Sequence, residues 1–198
     1  MNTQKIKTLT EWGAAILLIV WIYFQSPYFN YYHLSPLEAH QQSERTFYYG
    51  PSEVVEEVEI GDARIYLGTY KNWFSANMVL KHKGIFWAPG SGVGGHEINK
   101  SKDLSYSWSG SSIDKDTMLM RFYGIVTNPE IVDVELDLVE ATLNSDSYQK
   151  DQINTLSFHL KNHRMFLFHW NMQENNYRQV AIRGLDENGE VVYEEEWP

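Results

Sequence analysis

Within Ile131-Val-Asp-Val-Glu-Leu-Asp-Leu-Val139, residues 132–138 alternate strictly, with Val132, Val134, Leu136 and Leu138 apolar and Asp133, Glu135 and Asp137 acidic between them. A period of two places successive side chains on opposite faces of a strand. One face is therefore apolar enough for a core, and the other is expected to be acidic and open to water. That is the pattern of a half-buried antiparallel strand.

Similar short runs, rich in β-branched and aromatic residues, flank this one on both sides. They are Val54–Ile60, Ala63–Tyr70, Met78–Trp87, Thr117–Thr127, Asn154–Leu160, Met165–Trp170, Gln179–Leu185 and Val191–Trp197. Asn188-Gly189 between two of them predicts a hairpin with a type I′ turn, which needs positive φ at both central residues. Asn162-His163 predicts a second hairpin, pairing His159 with Phe166. The expected fold is mainly β, an antiparallel β-sandwich-like domain over residues 33–198. One short helix precedes the strands. Ser35-Pro36-Leu37-Glu38 is a helix-start signal, with Ser35 as cap, Pro36 at the first position and Glu38 completing a capping box, so a helix is predicted over about 36–46 and a break at Gly50-Pro51.

Residues 88–116 resist the strand reading. They hold most of the glycine and serine clusters and are expected to form a long loop, with any sub-domain boundary falling inside it. Trp108 lies there among small polar residues, so Trp108, Ser109 and His96 are the candidate contact surface. The other tryptophans of the β region, Trp73, Trp87, Trp170 and Trp197, are expected to pack in the core.

From Trp12 to Leu37 there is no Asp, Glu, Lys or Arg, and Trp12–Phe24 is almost wholly apolar. A helix from Leu9 to Ser26 would be about 27 Å long, close to a hydrocarbon core of roughly 30 Å. Trp12 at one end and Tyr28, Phe29, Tyr31 and Tyr32 at the other suit the two interfaces. The expectation is a transmembrane anchor over 9–32 that contacts the lipid bilayer. Lys5 and Lys7 put residues 1–8 in the cytoplasm and the β domain outside, by the positive-inside bias. The bulky residues around Phe24-Gln25-Ser26 lack the small-residue pattern of a cleaved signal peptide.

Charge excludes further classes. Lys5, Lys7 and Glu11 give residues 1–32 a balance of +1, which leaves −11 of the net −10 on residues 33–198. So acidic a domain repels polyphosphates, and nucleic acid is not an expected partner. Cysteine is absent, which removes disulfides, thiolate metal sites and thiol nucleophiles. No cofactor and no metal site are expected. The seven histidines are scattered without a His-Glu-x-x-His pattern, and Asp186-Glu187-Asn188-Gly189 lacks calcium-loop spacing. The GSGVGG run at 90–95 is followed by His96-Glu97, where a phosphate loop needs Lys-Ser/Thr. Ser112-Ile113-Asp114-Lys115 has the S-x-x-K spacing of penicillin-recognising enzymes but no accompanying K-T-G. The acidic runs Glu53–Glu59 and Glu194–Glu196 read as solvated strand faces.

Gly124-Ile-Val-Thr-Asn-Pro-Glu-Ile131, Val134-Glu-Leu136, Met165-Phe-Leu-Phe168 and Gly184-Leu-Asp-Glu-Asn-Gly-Glu-Val-Val-Tyr-Glu194 carry a resemblance. Over about half the chain, these segments resemble exported or membrane-anchored proteins of Bacillus-like Gram-positive bacteria. The resemblance implies an extracytoplasmic β domain and transfers no site residue. The expected function is a membrane-tethered binding or accessory module with an envelope protein as partner. The alternative is an envelope hydrolase whose carboxylates and histidines are distant in sequence.

Overall fold

The computed structural model describes residues 3–25, 31–90, 94–141 and 149–197. Helix α1 (Thr3–Gln25) contains an apolar stretch, Ile6–Tyr23, long enough to cross a membrane, and no part of that stretch is buried against the rest of the chain. Tyr28 and Phe29 of the expected aromatic belt, with the rest of 26–30, lie outside the described residues, as do 91–93 of the glycine run.

The chain then docks at once on the β domain. His33 exchanges two main-chain hydrogen bonds of 2.7 Å with Trp87, and the Tyr31 hydroxyl donates to the Pro89 carbonyl at 3.0 Å. Helix α2 (Pro36–Thr46) has the predicted span and Pro36 in its first turn. The capping box does not form. Ser35 makes no side-chain cap bond, and the Glu38 carboxylate lies instead 3.9 Å from the His33 ring.

Twelve strands follow among the described residues, in three antiparallel sheets. Sheet A contains β1 (Glu53–Ile60), β2 (Ala63–Tyr70), β3 (Trp73–His82) and β4 (Phe86–Pro89) in that order, with β5 (His96–Glu97) also on β3. Sheet B has the order β10 (Met165–Asn171), β7 (Met118–Val126), β6 (Leu104–Ser112). Sheet C has the order β12 (Val191–Glu196), β11 (Tyr177–Leu185), β8 (Asp133–Glu140), β9 (Asn154–His159). The mainly β, antiparallel fold is as predicted, and its layering follows from side-chain alternation.

Sheet B is the middle layer. On β7 and β10, Leu119, Tyr123, Met165 and Leu167 pack with Ile65, Leu67, Phe74 and Met78 of sheet A. The alternate residues Met120, Phe122, Phe166, Phe168 and Trp170 pack with Val134, Leu136, Leu138 and Ile182 of sheet C. A strand covered on both faces has no polar side to show, which is why Met118–Val126 reads as an almost unbroken apolar run while β8 alternates. Each Leu, Phe or Met so buried contributes about 1.5–3 kcal/mol. The packing is close: a Cβ on Gly124 would lie 2.5 Å from the Phe166 ring and 2.3 Å from the Ser105 carbonyl oxygen. Helix α2 covers the outer face of sheet A, where Ala39 packs on Tyr66, Val79 and Trp87.

Four local expectations are corrected. Asn162-His163 does not close a hairpin, because β9 pairs with β8 in sheet C and β10 with β7 in sheet B; the turn carries the chain between layers, with Arg164 at φ 62°. The run Met78–Trp87 is broken into β3 and β4 by Lys83 and Gly84, both at positive φ, the requirement of a type I′ turn. At Asn188-Gly189 the predicted hairpin forms, but only Gly189 is left-handed, and the Asp186 carboxylate accepts from the Asn188 and Glu190 N–H groups. Finally, the acidic face of β8 is not wholly solvated. Asp137 is 5% exposed, because Arg183 donates two hydrogen bonds to it, at 2.6 and 2.9 Å, and the Thr155 hydroxyl a third at 2.6 Å.

Candidate functional site

The expected long loop at 88–116 is largely absent. Leu104–Ser112 is strand β6, paired with β7 over nine residues from Leu104↔Val126 to Ser112↔Met118. Serine and glycine have weak strand preference, so this strand is held by its neighbour and not by its own composition. The stretch before it carries the chain from sheet A, through β5, to sheet B. Ser112-Ile113-Asp114-Lys115 runs from the end of β6 into the turn before β7, where the Asp114 carboxylate accepts the Asp116 N–H.

Within this strand the three candidate contact residues separate. Trp108 lies on the side facing sheet C, opposite Phe122, yet it is 60% exposed at the rim. Ser109 is on the other face and hydrogen-bonds, with Ser107, to the buried Tyr123 hydroxyl. His96 also lies against Tyr123, with ring centroids 5.9 Å apart, and against Phe74 at 5.8 Å. Burial holds the His96 imidazole below its ordinary pKa, hence neutral. Ser109 and His96 therefore converge on Tyr123, and Trp108 alone faces solvent.

The strand beneath Trp108 is rigidly supported. The Tyr106 ring stacks on Phe122 at 5.2 Å and meets Trp197 edge-on at 5.5 Å. Its hydroxyl donates to Glu195 at 2.9 Å, and Tyr193 donates to the other carboxylate oxygen at 2.6 Å. Burial, aided by the Glu195 charge, pushes the Tyr106 hydroxyl up to about 12, while the Tyr193 hydroxyl holds Glu195 below the usual carboxylate range. The other tryptophans form no common groove. Trp87 and Trp170 are buried on different faces and Trp197 packs on Tyr106, whereas Trp73, expected in the core, is substantially exposed at the start of β3.

A second polar cluster lies under α2, joined by no local sequence motif. His40, Ser43 and Glu44 are buried on one face of the helix, at spacings of three and four. The Asn77 amide donates to His40 Nδ1 at 2.7 Å, which leaves the ring proton on Nε2. That nitrogen lies 3.2 Å from Glu44 Oε1 and 3.4 Å from Ser52 Oγ. Glu44 also accepts the Ser52 N–H at 3.2 Å and the Ser52 hydroxyl. Beside it, an open depression of about 540 Å³ is lined by Glu44, Arg45, Tyr48, Tyr49 and the Gly50-Pro51 turn. The sequence signal for this cluster was the His40/Ser43/Glu44 stripe on a helix that should present its apolar face to the sheet.

Residues 32–198 match a protein family described as a domain of unknown function, DUF5044. The chain belongs to that family. No match to it was found among curated proteins or among solved structures. In this DUF5044 domain no group of three His, Asp or Glu residues is placed to hold a metal, among the described residues. Its Ser52, His40 and Glu44 resemble the parts of a hydrolytic triad, but the hydrogen bonds run differently. A serine nucleophile needs its proton taken by the imidazole, whereas here the serine hydroxyl is donated to Glu44 and the imidazole nitrogen that faces Ser52 already carries the ring proton.

Proposed function

We propose that this chain is a membrane-tethered module that acts outside the cytoplasm by contact with a partner at the cell envelope. The observation that carries the reading is Trp108, an exposed tryptophan at the centre of an uncharged edge strand that is itself fixed by a packed sheet. Aromatic residues on rigid supports are strong contact points, and burial of one by a partner contributes about 2 kcal/mol or more. The apolar α1 supports tethering, Lys5 and Lys7 support an outward-facing domain, and the resemblance to Bacillus-like anchored proteins fits both.

The test is cross-linking in intact membranes. Trp108→Ala should reduce recovery of cross-linked partner by roughly tenfold or more while the protein accumulates and melts normally. Equal recovery from both proteins would defeat the reading. A reporter fused after Pro198 should be active only in its exported form, and activity in the cytoplasm would refute the topology.

The proximity of Ser52, His40 and Glu44 favours one second reading, an envelope hydrolase. A serine-reactive fluorophosphonate probe separates the two. Labelling of Ser52 would support hydrolysis, and a contact module should remain unlabelled there.

A further inference from the structure

The end of sheet A that receives the chain from α1 is apolar and exposed. The pairing of His33 with Trp87 is antiparallel, so it sets Leu34 opposite Phe86 and extends sheet A by a short segment beyond β4. Tyr32 meets the His82 and Phe86 rings, with centroids 5.3 and 6.3 Å apart. Leu34 is nonetheless 75% exposed, and Ile85, in the turn beside Phe86, is 60% exposed. Leu37 in the first turn of α2 and Tyr31 beside Pro89 are exposed as well. Single apolar residues on a surface are ordinary. Four brought together by one bridge, one helix start and one turn form a patch of the kind that meets a partner.

Chain length decides what this patch faces. With α1 across the bilayer, Gln25 stands at the outer surface, and the chain runs from Gln25 to Tyr31 in six steps. Fully extended, six residues reach about 20 Å, so this end of sheet A is held at least that close to the headgroups. Charge permits the approach. From 63 to 96 the sequence holds Arg64, Lys71, Lys81 and Lys83 and no Asp or Glu. Arg64 is occupied by Glu57 and Glu59, and Lys81 lies over the Trp87 ring at 5.8 Å, while Lys83 is exposed at the tip of the β3–β4 turn. Glu38, near His33, and Asp62, whose carbonyl accepts the Lys81 N–H, offset the two lysines. The patch is thus near neutral in a domain that carries −11, and the acidic β1 occupies the opposite edge of sheet A. An anionic lipid surface repels most of this domain but not this end.

We infer that the β domain itself rests on the lipid surface through this end, with Leu34, Leu37 and Ile85 entering the headgroup layer and Tyr31 and Lys83 at the rim. The inference rests on the membrane-tether reading and adds to it a second, reversible lipid contact. Leucine and isoleucine side chains leave water at the boundary of headgroups and acyl chains, while tyrosine and lysine keep their polar ends among the headgroups. Such a contact gives the tethered domain one orientation.

The chain contains no cysteine, so a single label can be placed at will. Full-length chains with Leu34→Cys, Ile85→Cys, Lys71→Cys or Ile16→Cys are labelled with bimane and checked for unchanged melting. Each is then incorporated into vesicles of equal parts phosphatidylcholine and phosphatidylglycerol that contain lipid spin-labelled either high or low on the acyl chain. Ile16 reports on α1. Lys71 reports on the turn at the far end of β3, whose ten residues set it roughly 30 Å from the patch. The label at 16 should be quenched by the low position, and those at 34 and 85 by the high position, roughly threefold or more above the label at 71. If 16 is quenched but 34 and 85 respond no more than 71, the docking is wrong while the tether stands, as it would be if the patch served a protein partner. Equal strong quenching at 71, 34 and 85 would also overturn it, since no one face would then meet the lipid. An unquenched label at 16 would remove the tether and the docking together.

Discussion

The cluster under α2 and the edge of β6 hold the two most distinctive sets of polar groups in this domain, and they are used in opposite ways. Beneath α2, the buried His40, Glu44 and Asn77 and the half-buried Ser52 are drawn from a helix, strand β3 and the approach to β1, and they bond mainly to one another. At β6 the side chains are small and the main-chain groups of every second residue point outward with Trp108 between them. The first looks more like catalytic chemistry yet leaves no donor or acceptor for a substrate. The second lacks charged side chains yet retains its capacity to bind. A polar cluster that is complete fixes structure, and one that is incomplete is where a partner fits.

The sharpest way to break this contrast is Glu44→Ala. Glu44 is 4% exposed, accepts hydrogen bonds from the Ser52 N–H and hydroxyl and lies 3.2 Å from the His40 ring, so its loss removes the acceptor for two donors and the charge beside a buried imidazole. The expected cost is about 3–5 kcal/mol, read by urea-dependent proteolysis of the full chain in detergent. A loss below about 1 kcal/mol would mean that the cluster is not what holds α2 to sheet A, and would reopen the hydrolase reading. Next in size is Arg183→Ala, which leaves the Asp137 carboxylate buried with only Thr155 as partner. Arg183 is itself partly exposed, and solvent screening lowers the expected cost to about 2 kcal/mol.

Much of this fold could be read from local pattern. The span of α2 was marked by Pro36, and the alternation in 131–139 gave β8 with Val134, Leu136 and Leu138 fully buried. Layering was less legible, because it depends on which distant strand each face meets. The turn at Asn162-His163 looks like a hairpin loop whether the next strand pairs beside β9 or crosses to sheet B, and only the two-sided burial of Met165–Trp170 separates these cases. Strand β6 was missed because Ser and Gly give no propensity signal. For the α2 cluster, Ser52 and Asn77 are 12 and 37 residues from His40, and no local motif joins them.

Acid should act on the buried cluster and not on the edge. Burial lowers the His40 pKa below its ordinary 6.5, with Glu44 opposing the shift more weakly, and burial lowers His96 and His33 likewise. Such a group contributes its full stability above the unfolded pKa. The unfolded chain begins to take up protons near pH 6.5 that the folded chain refuses, so stability falls from there down through the lowered folded pKa. Melting temperature should be flat from pH 8 to about 7 and decline toward pH 5. His40→Gln should reduce the decline, whereas Trp108→Ala should leave its shape unchanged. A profile insensitive to His40 would remove proton linkage from the cluster.

The smallest expected effect is the one that the contrast most needs. Trp108→Ala removes a large side chain from the centre of a strand, and at a buried position that would cost about 3–5 kcal/mol. Here the ring is 60% exposed, and β6 is fixed without it by nine paired positions on β7 and by Tyr106 between Phe122, Trp197 and Glu195. The isolated domain should therefore lose no more than about 0.5 kcal/mol, the usual range for a surface substitution. Urea titrations of the two proteins measure it. A loss of several kcal/mol would place Trp108 among the core residues and dissolve the contrast between the two regions.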